Sequence, residues 1–194
     1  MEKPLVITGP SGSGKTTVLK EIIKRFPDKF TFSVSHTTRN PRKNETNGVD
    51  YHFVTKHEME TLIDNNEIIE HTLFSHNLYG TSKESIKQAS VPGKICILDL
   101  DLNGVLSLQN SDMNPVCVFI MPPSLNKLEE RLCSRSTETP GAISSRIQEA
   151  RNYLEYFESN YDIYDCVITN DTVEFAANQL AEFLIKTYPD VLTA

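Results

Sequence analysis

The 194-residue sequence has no tryptophan, only four cysteines and no apolar run that approaches the length of a membrane span. A spanning helix needs about 20 apolar residues, so we expect no membrane association. Neither CxxC nor HExxH spacing occurs among the cysteines and the five histidines. The cysteines at positions 96, 117, 133 and 166 are therefore interpreted as buried, reduced thiols rather than zinc ligands or disulfide partners.

Positive charge is also scarce, because 26 acidic residues outnumber 19 basic ones and the formal net charge is -7. General nucleic-acid binders usually carry basic surfaces, so the net charge argues against this class and we expect no nucleic-acid partner. The first predicted strand begins by Leu5, and we expect no signal peptide and a cytoplasmic protein. A chain of this length buries one sizeable core. The sequence marks no dimer interface, and we expect a monomer.

Residues 9–16 read GPSGSGKT and match the phosphate-binding loop GxxxxGK[ST]. Glycines let the backbone turn its N–H groups toward a phosphate, the Lys15 ammonium adds charge, and the Thr16 hydroxyl can reach a magnesium ion. The alternative is an ordinary glycine-rich turn. The candidate ATP-binding residues of this loop are Gly9, Ser11, Gly12, Ser13, Gly14, Lys15, Thr16 and Thr17.

The flanking sequence supplies the strand and the helix that such a loop requires. The apolar run at 5–7 predicts a buried strand before the loop. After the loop, apolar residues recur at helical spacing until Pro27 ends the pattern: Val18, Leu19, Ile22, Ile23 and Phe26. The amino end of that helix would point its partial positive charge at a bound phosphate. Nucleotide binding therefore becomes the working hypothesis.

The rest of the chain alternates strands with helices outside one region. Apolar runs lie at 95–100, 116–121 and 166–169, with helical patterns at 144–157 and up to Lys186. This alternation predicts an α/β fold with a parallel P-loop sheet flanked by helices in three layers. Between residues 31 and 92, short strand candidates lie at 32–35, 51–54, 68–74 and 78–80. They predict an inserted lobe of mixed β structure with antiparallel pairing.

Two carboxylates, Asp99 and Asp101, stand at the carboxyl end of the strand predicted at 95–100. In P-loop proteins this edge lies beside the phosphate loop, where a carboxylate supports magnesium and its waters. Asp99 is the better candidate for this role, together with Thr16. The alternative is that both aspartates only cap the helix that begins near Leu102, since aspartate is a favoured cap.

Further motifs follow in order along nearly the whole chain. They read SVSHTTRNPR at 33–42, GVDYHF at 48–53, IIEH at 68–71, LYGTS at 78–82, LDLD at 98–101, PPS at 122–124, RSTET at 135–139, Arg146, and TND at 169–171. Together they resemble the guanylate kinase family. The resemblance implies transfer of the γ-phosphoryl group of ATP to GMP, giving ADP and GDP, with Mg²⁺ required and dGMP also accepted.

The resemblance also implies how the chain is divided. Residues 1–194 form one domain, with a core of about 1–31, 93–133 and 147–194, a GMP-binding lobe of about 32–92 and a lid of about 134–146. Pro140 and Gly141 interrupt the helical pattern in the last segment, which predicts a mobile lid.

The acceptor lobe offers donors for the phosphate of GMP. Arg39 and Arg42, three residues apart in an extended loop, can fork onto this phosphate. The hydroxyls of Tyr51 and Tyr79 can donate to the same oxygens. An ordinary basic surface loop is the alternative.

Guanine presents two donors, N1–H and the exocyclic amine, beside the O6 acceptor. The resemblance implies that Glu70 accepts from the base while Thr81 and Ser35 contact O6. Asp101 adds to the amine side, and Asp99 completes the GMP site. Adenine would face the Glu70 carboxylate with a lone pair, and such mispairing is worth about 10⁴-fold in selectivity. Guanine is therefore expected over adenine.

No general base is required, because the attacking oxygen belongs to an ionised phosphate and the transfer depends on positioning and charge. The alternative for the helix arginines is solvated charge paired with neighbouring glutamates. By the resemblance, the catalytic cations are Lys15, Arg42, Arg135 and Arg146, with Arg131 assisting at ATP.

Asn170 and Asp171 follow the last predicted strand, at the edge where nucleotides bind in open α/β sheets. By the resemblance they border the adenine of ATP. As an alternative, they cap the helix that begins near Val173.

Two other functions stay open at this point: a binding module that keeps the fold without catalysis, and a related P-loop kinase with another acceptor. The phosphate loop, Asp99 and the lid arginines favour chemistry over binding alone. Glu70 with Thr81 favours guanine as the base.

Overall fold

The computed structural model describes residues 2–74, 76–109, 113–133 and 140–193, and for 74, 140 and 142 it describes the backbone alone. The strands in these ranges are β1 Leu5–Thr8, β2 Phe30–Phe32, β3 His36–Thr37, β4 His52–Phe53, β5 Ile68–Phe74, β6 Asn77–Ser82, β7 Ile95–Asp99, β8 Val116–Met121 and β9 Cys166–Thr169. The helices are α1 Lys15–Arg25, α2 Lys56–Asp64, α3 Lys83–Ala89, α4 Leu102–Gln109, α5 Leu125–Cys133, α6 Pro140–Ser159, α7 Val173–Thr187 and α8 Pro189–Leu192.

Five parallel strands form the first sheet, in the order β2, β7, β1, β8, β9. Helices cover both of its faces: one apolar cluster joins the sheet to α1 and α7, and another joins it to α3, α4 and α6. This three-layer arrangement confirms the predicted α/β fold. In the register of β1 and β7, Ile7 lies opposite Asp99, so the phosphate loop and the aspartates share one edge of the sheet.

Helix α6 is fixed to the sheet by aromatic packing around Phe119 of β8, which is fully buried. The ring of Phe119 stacks on Phe157, with centroids 4.5 Å apart, and meets Tyr153 and Tyr164 edge-on. Truncation of such a side chain to alanine costs about 3–5 kcal/mol. The cluster therefore holds α6 in place beside the phosphate loop.

Four shorter strands form a second sheet, in the order β4, β3, β6, β5. β5 and β6 make an antiparallel hairpin with a bulge between Ile68 and Glu70, and β3 is antiparallel to β6. β3 and β4 are parallel, so the predicted antiparallel pairing is wrong for this pair. The division into core, lobe and lid stays a prediction.

The strand predicted at 32–35 is wrong. β2 ends at Phe32 and pairs with β7 in the first sheet, whereas the second sheet begins at His36. Residues 33–35 connect the two sheets. Helices α2 and α3 lie beside the predicted strands of this region, where no element was predicted, and α2 begins with a capping box formed by Thr55 and Glu58.

Pro140 and Gly141 do not interrupt a helix, because α6 begins at Pro140. Proline fits the first turn, where its missing N–H has no helical partner. Residues 134–139, which include the predicted catalytic Arg135, lie outside the described residues.

The four cysteines are free thiols, but their burial differs from the prediction. Cys96 and Cys117 are buried, Cys166 is partly buried and Cys133 is exposed at the end of α5. The apolar strands bury the first two, whereas Cys133 lies on the solvent side of an amphipathic helix. In the part of the chain that the structure describes, no helix is long and apolar enough to cross a membrane.

Candidate active site

The loop between β1 and α1 depends on glycine at both ends. Gly9 has φ +135° and Gly14 has φ +91°, backbone conformations that residues with a side chain rarely adopt. Space excludes side chains as well: a Cβ on Gly9 would lie 2.3 Å from the Ile120 carbonyl oxygen, and one on Gly14 would lie 2.2 Å from Nδ2 of Asn170. The loop is thus packed closely against the ends of β8 and β9.

Lys15 folds its side chain back over this loop. Its Nζ donates to the Gly9 carbonyl oxygen at 2.7 Å and lies 3.5 Å from that of Pro10. Thr16 and Thr17 are exposed at the start of α1. The first turn of α1 has no acidic side chain, so the positive end of its dipole is available to an anion.

Asp99 ends β7 and lines the same cleft as Lys15 and Thr16. Desolvation raises the pKa of its carboxyl, and the charge of Lys15 opposes that rise. A threonine hydroxyl and a carboxylate are the hard oxygen ligands that Mg²⁺ prefers. Within the described ranges no three His, Cys, Asp or Glu side chains form a metal-binding group.

A cleft of about 840 Å³ joins the phosphate loop to the second sheet, a volume typical of ligand sites. Helix α6 forms another wall through Glu149, Asn152, Tyr153 and Tyr156. A smaller cavity of about 480 Å³, between β2 and α3, contains none of the predicted site residues. The predicted residues that line the large cleft are Gly9, Ser11, Gly12, Gly14, Lys15, Thr16, Thr17, Tyr79, Asp99 and Asp101.

Three of the predicted base-reading residues meet beside β5 and β6. Oγ1 of Thr81 donates to Oε1 of Glu70 at 2.7 Å, and the hydroxyls of Thr81 and Ser35 lie 3.5 Å apart. Burial raises the pKa of Glu70 to about 6, the hydrogen bond from Thr81 lowers it, and the charge of Asp101 raises it. This cluster offers acceptors and donors to the edge of a base.

Asp101 has two roles. Its Oδ1 accepts from the N–H of Gly104 at 3.0 Å and so caps α4. Its charge also acts on Glu70. The predicted capping alternative is therefore right for Asp101, whereas Asp99 lines the cleft.

Arg39 is engaged by a carboxylate that the sequence analysis did not identify. Its Nη1 and Nη2 donate to the two carboxylate oxygens of Glu45 at 2.9 and 2.8 Å. The guanidinium lies 5.5 Å from the ring centroid of Tyr51 and 5.7 Å from that of Phe53. Tyr51 in turn meets Tyr79 edge-on, with centroids 5.9 Å apart. The structure thus brings Arg39, Tyr51 and Tyr79 together.

Glu45 also holds the backbone of the acceptor loop. It accepts from the N–H of Arg42 at 2.7 Å. The hydrogen bonds from Arg39 and from this N–H lower the pKa of Glu45 to about 2. The side chain of Arg42 is exposed, so the loop presents this guanidinium to the solvent.

Helix α6 brings two side chains to the phosphate loop. Nη1 of Arg146 donates to Oγ of Ser11 at 2.7 Å. The hydroxyl of Tyr153 hydrogen-bonds to Thr8 and to the backbone of Gly9, and desolvation raises its pKa. Tyr153 was not predicted, because a tyrosine within a helical apolar stripe signals only core packing.

Asn170 lies beneath the phosphate loop and is 2% exposed. Its Nδ2 donates to the Ser13 carbonyl oxygen at 2.7 Å. Arg131 also joins the phosphate loop to the end of β9. Its Nη1 lies 3.4 Å from the Ser13 carbonyl oxygen. Its Nη2 donates to the carbonyl oxygens of Asn170 and Asp171 at 2.9 and 3.3 Å. The cap of α7 is Thr172, so the capping alternative for Asn170 and Asp171 is wrong.

A family model described as guanylate kinase matches residues 1–187. Guanylate kinases from Schizosaccharomyces pombe and Sus scrofa are 47% and 43% identical to this chain, over 92% and 94% of its length and 88% and 91% of theirs. The crystal structure of guanylate kinase from Anaplasma phagocytophilum is 30% identical, with a TM-score of 0.68 over 95% of this chain and 85% of that one. The SH3-kinase fragment of tight junction protein 3 is 10% identical, with a TM-score of 0.52 over 96% of this chain and 57% of that one, and shares the fold alone. The chain belongs to the guanylate kinase family.

Proposed function

We propose that the cleft binds ATP on the phosphate loop and GMP against the second sheet, and that its residues support direct, in-line transfer. The protein is an enzyme that transfers the γ-phosphoryl group of ATP to GMP. The observation that carries the placement is one cleft lined by Lys15, Asp99, Asp101 and Tyr79. Tyr79 and Asp101 of the proposed acceptor site line the same cleft as the phosphate loop, so the two phosphates could meet there without a covalent intermediate.

Selection of guanine is assigned to Glu70, Thr81 and Ser35. In the free protein the Thr81 hydroxyl donates to Glu70 at 2.7 Å. Guanine would replace that donor with N1–H and its amine, which releases the Thr81 proton for O6. Asp101 adds negative charge on the amine side. Adenine would leave these groups mispaired, which supports a preference of about 10⁴-fold.

The acceptor phosphate is assigned to Arg39, Arg42, Tyr51 and Tyr79. Arg39 donates two N–H groups to Glu45 and one to the Asn40 carbonyl oxygen, and its side chain also hydrogen-bonds to Tyr79. Arg39 would therefore hold the acceptor phosphate beside Tyr79. The exposed guanidinium of Arg42 supplies most of the added positive charge.

The donor phosphates are assigned to Lys15, Arg131, Arg135 and Arg146. Arg146 already reaches the loop through Ser11, and it would exchange this hydroxyl for phosphate oxygens when ATP binds. An arginine at this position is worth about 10³ to 10⁵ in rate. No general base is needed. Asn170 supports the loop from below, and Asn170 and Asp171 are the residues proposed to border adenine.

Thr16 and Asp99 would hold Mg²⁺, Asp99 through water. When bound, the ion neutralises charge on the transferring phosphates. Asp99 also shares the cleft with Lys15, so the carboxylate balances the lysine charge before nucleotide binds.

Three finer features complete the proposal. The assigned groups address the base and the phosphate, and none addresses the 2′-hydroxyl, so dGMP is accepted as well as GMP. The lobe of about 32–92 and the lid of about 134–146 close over both substrates and exclude water. The enzyme acts as a monomer in purine nucleotide metabolism in the cytoplasm, a reducing compartment that fits its four free thiols.

A coupled ADP-release assay with ATP and Mg²⁺ tests the proposal, comparing GMP, dGMP, AMP, UMP and CMP at matched concentrations. GMP and dGMP should turn over, and Glu70→Gln should lose at least 10²-fold in preference for GMP over AMP. Glu67→Gln, an exposed carboxylate just before β5, is the matched control and should behave as the parent. Binding of GMP without turnover would indicate a binding module. Turnover of another acceptor would contradict the roles of Glu70 and Thr81.

A further inference from the structure

The first turn of α4 packs directly against the carboxylate assigned to the base. Gly104 is buried there, and a Cβ on it would lie 2.9 Å from Cβ of Leu100 and 3.1 Å from Cγ of Glu70. Contacts this short force neighbouring atoms to move. Gly104 is not among the glycines with positive φ, so space rather than backbone conformation requires glycine.

Glu70 has little room to move away from α4. On its other side, Oε1 accepts from Oγ1 of Thr81 at 2.7 Å, and Thr81 is 1% exposed. The β bulge between Ile68 and Glu70 fixes the backbone at the same place. A methyl group on Gly104 must therefore shift the side chains of Leu100 and Glu70 or push α4 outward.

The same residue holds the second carboxylate of the pocket. The N–H of Gly104 donates to Oδ1 of Asp101 at 3.0 Å, while Glu70 closes the space where a side chain of Gly104 would lie. Both α4 and Asp101 line or border the cleft. One glycine thus sets the spacing between the two carboxylates.

We propose that Gly104 is a positioning residue that sets the depth of the guanine pocket and thereby the affinity and selectivity for guanine. The inference rests on the proposed base-reading role of Glu70. Any side chain at this position displaces the carboxylate from the two donors of guanine, while the phosphate loop, on the other side of the cleft, is left unchanged.

The test is Gly104→Ala in steady-state kinetics. KM for GMP should rise about tenfold, as for one weakened charge-assisted hydrogen bond, and the preference for GMP over IMP should fall. The turnover number and KM for ATP should stay within about twofold of the parent. Alanine has the higher helix propensity, so the change does not weaken the helix itself. Ser107→Ala, one turn later on α4, is the control and should change none of these values.

A double-mutant cycle separates positioning from general packing. Glu70→Ala removes the Cγ that the new methyl group would meet, so Gly104→Ala should add little to the loss in kcat/KM for GMP in that background. Full additivity of the two losses, or a parallel loss of ATP binding in Gly104→Ala, would overturn the proposal. If Glu70→Ala weakens GMP binding and Gly104→Ala does not, the base-reading role stands and the positioning role fails. If Glu70→Ala itself has no effect, the base-reading role fails.

Discussion

The affinity for guanine should fall at acidic pH, because burial raises the pKa of Glu70, the carboxylate proposed to read the base. Burial raises the pKa of Glu70 from 4.5 to about 6. Only the ionised carboxylate of Glu70 can accept hydrogen bonds from both donors of guanine. The affinity for guanine is therefore highest well above pH 6 and falls as the pH drops through that value. The dissociation constant scales as 1 + 10^(pKa − pH). Relative to pH 7.5, this gives an increase of about twofold at pH 6 and about 11-fold at pH 5.

The assay is the dissociation constant of guanosine, measured by titration calorimetry from pH 5 to pH 8. Guanosine replaces GMP because a phosphate monoester itself titrates with a pKa of about 6. Glu70→Gln carries no charge to lose, so its affinity should be weak and independent of pH in this range. Glu67→Gln keeps Glu70 and should follow the parent curve.

Two results would refute the reasoning. One is a guanosine dissociation constant that changes less than twofold between pH 7.5 and pH 5. The other is an unchanged pH dependence in Glu70→Gln, which would assign the titration to another group.

Three further predictions follow from hydrogen bonds in the site. Arg146→Ala should lower the turnover number by about 10³-fold or more and leave GMP binding intact, and normal turnover in stopped-flow assays would remove Arg146 from the mechanism. Glu45→Gln should raise KM for GMP about tenfold, because it weakens the bidentate pair between Glu45 and Arg39. An unaltered KM would mean that the rings of Tyr51 and Phe53 alone hold Arg39 in place. Asn170→Ala removes the amide that donates to the Ser13 carbonyl oxygen. The free energy of unfolding, measured by thermal denaturation, should fall by about 1–3 kcal/mol, and ATP binding should weaken. An unchanged Tm would contradict the supporting role of Asn170.

The phosphate loop was predictable because its groups lie within eight consecutive residues and the local pattern has one physical meaning. The parallel strands β7 and β8 were predictable for a similar reason, since strands buried on both faces are continuous apolar runs. The passage of the chain from the first sheet to the second at residues 33–35 was not predictable, because no glycine or proline lies there. Residues with strand-like composition simply pass from one sheet to the other.

The residues that prediction missed act on partners far along the chain or outside any motif. Tyr153 meets Thr8 across 145 positions, and a helical apolar pattern cannot indicate such a contact. Gly104 lies in a helix where glycine is unfavourable, and only the close approach of Leu100 and Glu70 in the folded chain explains it. The base-reading set came from resemblance, since Glu70, Thr81 and Ser35 meet only once the second sheet has formed.

The strand order of the first sheet also sets a delay during synthesis. β1 lies between β7 and β8, and the phosphate loop needs Asn170 beneath it, 154 positions after Thr16. At about 5–20 residues per second, a ribosome takes roughly 8–30 s to cover that distance. Until then, a nascent chain carries its phosphate-binding sequence without the contacts that give it shape. Cellular ATP, however abundant, can stabilise the phosphate loop only after the chain has been made as far as Asn170.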